Sequence, residues 1–156
     1  MVELRILRQL EGQHRDLMRR RRSVELELSA LVALAEEERG DESENVVMRA
    51  MSLLTALRRE LKEHFALEES AGFLAAAADA APRLSRRASQ LAREHAAMDA
   101  ALGRILEGLL SSQKSPERWA ALLESFARLS ESLLAHERAE EEMVRMAFMD
   151  DLGGGD

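Results

Sequence analysis

The sequence predicts an all-α fold, an antiparallel up-down-up-down four-helix bundle, and three observations carry that prediction. Short breaks rich in Gly, Pro and Ser divide the chain into four long segments. Each segment carries an apolar stripe that advances in alternating steps of three and four residues, the spacing of one buried helix face. Two Pro and eight Gly in 156 residues are too few for a turn-rich β fold. The length fits one domain with a real core. Residues 1–150 are expected to form a single bundle, and 151–156 a flexible Gly-rich tail.

The first segment runs from Val2 to about Glu38 and stops at Arg39-Gly40-Asp41, where Gly40 suits a helix C-terminus. Its stripe is Leu7, Leu10, His14, Leu17, Arg21, Val24, Leu28 and Leu31. The second begins near Ser43, an N-cap followed by Glu44, and runs to about Ala78. Its stripe is Val47, Ala50, Leu54, Leu57, Leu61, His64, Glu68, Ala71 and Ala75. Pro82 then breaks the helix and restricts Ala81 before it. The third, about Leu84 to Leu110, presents Leu84, Ala88, Leu91, His95, Met98, Leu102, Ile105 and Leu109. The fourth opens on Ser115-Pro116-Glu117: an N-cap, a proline at the first helical position and an acid in the first turn. It presents Trp119, Leu122, Phe126, Leu129, Leu133, His136, Glu140, Met143 and Ala147. No internal repeat is evident.

Composition removes several function classes. Cysteine is absent, which excludes disulfides, iron–sulfur clusters, thiolate zinc sites and cysteine nucleophiles. A net charge of −7 argues against nucleic acid as a partner, and the run Arg19 to Arg22 reads as a solvated helix face. The stretch Ala71 to Pro82 is too short to span a membrane, and Met1 to Arg5 lead directly into charged helical sequence, so a cytoplasmic protein is expected. No tyrosine is available for a radical.

The polar residues on the stripes are the informative ones. All four histidines fall there, one per segment, and His64 and His136 each have a Glu four residues later. A buried carboxylate costs several kcal/mol unless it is paired or bound to a cation. At about 1.5 Å rise per residue, all six residues lie roughly 13–21 Å from the same end of an up-down bundle. Four neutral imidazoles and two carboxylates suit iron, manganese or zinc, and sharing the carboxylates among four nitrogens suits a pair of metals. If both Glu bridge, the six side chains and a bridging oxo or hydroxo group fill about ten of twelve octahedral positions, leaving about two for a small ligand.

The strings Glu11-Gly12-Gln13-His14, Glu63-His64-Phe65-Ala66-Leu67-Glu68-Glu69, Glu94-His95-Ala96-Ala97-Met98-Asp99 and His136-Glu137-Arg138-Ala139-Glu140-Glu141 together resemble the hemerythrin-like (HHE cation-binding) family. The resemblance covers nearly the whole chain, and it implies a non-haem di-iron centre. Glu68 and Glu140 would bridge, with His14, His64, His95 and His136 as terminal ligands. Two positions depart from the oxygen carriers of the family. Those carriers have a second His on the third helix, where this chain has Asp99; it is open between a ligand, an acceptor for an imidazole N–H and a solvated acid. They also place the fourth-helix carboxylate five residues after its His, the position of Glu141, although Glu140 lies better on the stripe.

The resulting expectation is a protein that holds two iron ions, with manganese or zinc as substitutes, and binds or senses dioxygen or a related small ligand. A di-iron enzyme acting on peroxide or nitric oxide, with Asp99 or Glu141 assisting proton transfer, is the alternative. An iron-responsive interaction module is another. The expected partner is a small diatomic or peroxide ligand, with neither nucleic acid nor membrane.

Overall fold

The computed structural model describes residues 2–37, 42–70, 73–111 and 116–149. Four long helices, α1 (Val2–Glu37), α2 (Glu42–Ser70), α4 (Ser85–Leu110) and α5 (Pro116–Met149), form the bundle, and a short α3 (Phe73–Ala80) precedes a 3-10 turn at Pro82–Leu84. Around the bundle α1 packs on α2 and α5, and α4 packs on the same two helices. Cross-helix pairs show the antiparallel run. Glu11 and His14, early in α1, meet Arg145 and Glu141, late in α5. Among the described residues no helix is long and apolar enough to cross a membrane.

The apolar stripes of α4 and α5 are buried at every position expected of them. Three differences arise in α1 and α2. Val32 is buried where Leu31 is half-buried, Val46 is buried where Val47 is half-buried, and Arg21 is half-buried beside Glu25; the Leu7 side chain lies outside the described residues. The second segment is described in two helical stretches. α2 ends at Ser70 and α3 starts at Phe73, with Ala71 and Gly72 between them outside the described residues. Leu74 and Ala77 are buried, and Ala75, expected on the stripe, is exposed. Their spacing continues through Ala81, Leu84, Ala88 and Leu91, so α3 covers one end of the bundle against α4 and α5.

Helix boundaries follow local chemistry. Ala81, at φ −137° and ψ 86°, has the extended backbone that a following proline imposes, and α5 begins at Pro116. α2 begins at Glu42, one residue before the expected cap Ser43. The Gly40 stop, the Ser115 cap and the 151–156 tail lie outside the described residues.

The core is divided. One apolar cluster runs from Leu17, Phe65, Met98 and Leu133 towards Val32, Leu109 and Trp119. A second holds Leu10, Leu74, Leu91, Met143, Val144 and Ala147 at the α3 end. Burying a leucine stabilises by about 2 kcal/mol, so these two clusters hold the helices together. The histidine level lies between them.

Candidate metal centre

His14 from α1, His64 and Glu68 from α2, His95 from α4, and His136 and Glu140 from α5 come together in that level, all buried. Steps of three and four along each helix, with antiparallel packing, bring residues so distant in sequence to one height. Glu137, which the stripes pass over, is 2% exposed and joins them.

The donors sort into two groups that share Glu68. His14, His64, Glu68 and Glu137 form one half; Glu68, His95, His136 and Glu140 form the other, with the ligand atoms of each within 4.8 Å of one another. Glu68 is divided between them. Its Oε1 contacts His64 Nε2 and lies 3.5 Å from His14 Nε2, while its Oε2 lies 2.9 Å from His95 Nε2 and 3.9 Å from His136 Nε2. In the first half Glu137 touches His14 Nε2 through Oε2 and stands 3.2 Å from His64 Nε2 through Oε1. In the second, Glu140 Oε2 lies 3.4 Å from His136 Nε2. The carboxylate between the halves is therefore Glu68; Glu140, expected to bridge with it, groups with the second half alone.

Three of the imidazoles are anchored from behind. His14 Nδ1–H donates to Glu141 at 2.9 Å, His95 Nδ1–H to Glu69 at 2.9 Å, and His136 Nδ1–H to Glu94 at 2.8 Å. This points each Nε2 at the centre, so that loss of its proton gives the tautomer a metal requires. Phe65 stacks flat on His95, with ring centroids 4.1 Å apart and 9° between planes, and stands edge-on to His136.

The donors fit a metal. Both oxygens of Glu68 and of Glu140, Glu137 Oε2 and His14 Nε2 are buried, and Glu68, Glu137 and His14 find their partners only in one another and in the neighbouring imidazole nitrogens. His95 and His136 bring their Nε2 atoms to 3.0 Å. Two nitrogens bound at right angles to one ion, about 2.1 Å from it, would stand about 3.0 Å apart. Acceptors converging in this way, with few donors, form a cation site.

Neither expected auxiliary ligand joins these groups. The Asp99 carboxylate is forked by Arg58, at 2.8 and 3.1 Å, with Lys62 Nζ at 3.8 Å. Gly103 makes room for that guanidinium, since a Cβ there would lie 3.2 Å from an Arg58 terminal nitrogen. One turn beyond His95, Asp99 faces α2 below the level of the centre. Glu141 serves as the acceptor behind His14.

The charges are strongly coupled. Burial opposes the imidazolium forms, yet facing carboxylates outweigh it: Glu137 and Glu68 push His14 up to about 10 and His64 to about 9. Glu140, Glu68 and Glu94 push His136 to about 10, and Glu68 and Glu69 raise His95. Burial would raise Glu68 and Glu137, but the surrounding imidazoles hold both well below the usual carboxylate range. Glu140 goes the other way. Burial, helped by Glu68, lifts it to about 7 against the pull of His136. Without a metal, protons supply the positive charge of the layer, and an incoming cation would displace them.

A groove of about 940 Å³ between α4 and α5 ends at this centre, lined there by Glu94, Ala97, Met98, Ala135, His136 and Ala139. The family model of the hemerythrin HHE cation binding domain matches residues 5–148. Searches of curated proteins and of solved structures each gave no significant match.

Proposed function

We propose, since the chain belongs to the hemerythrin HHE cation-binding family, that its buried His/Glu layer holds two iron ions and binds or senses dioxygen or a related small ligand. The observation that carries this reading is the split of Glu68, one oxygen towards His14 and His64 and the other towards His95 and His136. His14, His64 and Glu137 would hold one ion, His95, His136 and Glu140 the other, and Glu68 both. Three inner carboxylates and one bridging hydroxide balance two divalent ions, which favours an oxo- or hydroxo-bridged pair over a single ion. Manganese or zinc suits the same donors.

The surroundings support ligand binding ahead of turnover. Apolar clusters close the layer above and below, and the α4–α5 groove offers an approach beside His136. The two acids expected to move protons in an enzyme, Asp99 and Glu141, are engaged by Arg58 and His14. Iron-loaded protein is expected to contain close to two irons per chain and to develop a reversible charge-transfer band when its ferrous form meets air. One iron or none, or a spectrum unmoved by air, overturns the reading; sustained turnover of peroxide or nitric oxide would replace it with the enzyme.

A further inference from the structure

The two halves of the centre are related residue for residue. His14 and His95 open the two helix pairs, and His64 and His136 answer them on the partner helices. Glu69 lies five residues after His64 and backs His95; Glu141 lies five after His136 and backs His14. Glu94 lies immediately before His95 and backs His136. The corresponding position before His14 is Gln13, whose Oε1 is buried with no hydrogen-bond partner. Among the described residues no carboxylate stands behind the His64 ring, whose contacts with acids all run through Nε2. The carboxylates thus pass from α2 to α4, from α4 to α5 and from α5 to α1, and the relay stops before α2.

We propose that the two metal positions are built unequal. The His95/His136 half is the tight, first-filled position, the His14/His64 half is the exchangeable one, and Gln13, standing where Glu94 stands in the other half, sets the difference. The proposal rests on the two-ion reading above. Donor number does not separate the halves, because each has two imidazoles, its own Glu and a share of Glu68. Preorganisation does. In the second half both rings are backed by a carboxylate, Phe65 lies flat on one of them, and the ring centroids are 4.8 Å apart. In the first half one ring is backed, the centroids are 5.7 Å apart, and His64 is the most exposed of the four at 8%. A carboxylate behind a metal-binding imidazole fixes its tautomer and orientation and increases its basicity, an effect of about 10- to 100-fold in metal affinity.

The test is calorimetric titration of the metal-free full chain with Zn²⁺, together with a crystal grown at one equivalent and read by anomalous scattering. Two binding events at least about tenfold apart are expected, with the first ion between His95 and His136. Glu94→Gln is expected to weaken the first event by about 10- to 100-fold and leave the second in place. Gln13→Glu is expected to strengthen only the second, bringing the two together. A merely structural role for these side chains would move both events alike. Two equal events, a first ion between His14 and His64, or a Gln13→Glu variant with an unchanged second event overturns the inequality while leaving the two-ion reading intact. A stoichiometry of one or none overturns both.

Discussion

The Nε2 atoms of His95 and His136 face each other at 3.0 Å, and each ring has already committed its Nδ1–H to a carboxylate, Glu69 and Glu94. Two lone pairs at that distance need a positive charge between them. A metal provides it when bound, and a proton when not.

Metal-free stability should therefore depend on pH in a defined direction. His14 and His136 rise from 6.5 to about 10 and His64 to about 9 on folding, so their contribution is complete below about 6.5 and is lost as pH climbs through 9–10. Glu140, raised from 4.5 to about 7, adds a loss in the same direction. Glu68 and Glu137, lowered by the imidazoles, contribute above about 4.5 and lose that contribution as pH falls. Urea midpoints of chelator-treated protein are expected to peak near pH 4.5–5 and fall towards pH 10. A midpoint that rises between pH 6 and 9.5 would contradict the protonated layer.

Glu137→Ala should separate the halves. Removing this carboxylate takes a donor from the His14/His64 group and leaves His95, His136, Glu68 and Glu140 in place. Metal content is expected to fall from about two ions per chain to about one, counted by mass spectrometry of the loaded protein. Retention of both ions would remove Glu137 from the ligand set.

Asp99→Asn makes the opposite case. Asp99 and Arg58 are each about 30% exposed, so their ion pair contributes well under 1 kcal/mol after solvent screening. The variant is expected to keep its full metal content and visible spectrum, with a melting temperature lowered by only a few degrees. Loss of metal would return Asp99 to the centre.

Glu140→Met should exchange binding for stability. Glu140 is 0% exposed and both its oxygens lack a hydrogen bond, so a residue of similar volume without charge relieves a buried cost. In excess chelator above about pH 7, where the raised Glu140 is ionised, the variant is expected to be more stable than the parent, while the His95/His136 half loses its ion. A lower denaturation midpoint in chelator would show that the metal-free layer already compensates this carboxylate.

Much of the arrangement was legible because helical period and burial coincide. The stripes of α4 and α5 needed no correction, and the six residues expected at one level share one layer. The buried face after Phe73 was not legible, since the alanines that follow fit either face of a helix and only packing selects Leu74 and Ala77. Glu137 was missed for a different reason. It lies one residue, or 100°, from His136, outside a stripe drawn for one face. Each bundle helix meets two neighbours, and Glu137 lies on the flank that meets α1, four residues before Glu141, so that both acids contact His14. The run of acids after His136 carried a signal: a Glu four residues before another on a helix flank extends one acidic face across a turn. Glu69 and Glu94 also sit one position off their stripes, for the same geometric reason.

The polar layer between two apolar clusters also decides which way the chain folds. Leucine-rich seams are nearly interchangeable, and a helix sliding by one heptad, about 10 Å, would still set leucine against leucine along most of its length. At one height alone such a slip moves Glu68 or Glu140 among leucines and leaves imidazoles opposite nothing, at a cost of several kcal/mol. Misaligned bundles are thereby excluded, and the side chains that gather the ions also determine how the four long helices line up.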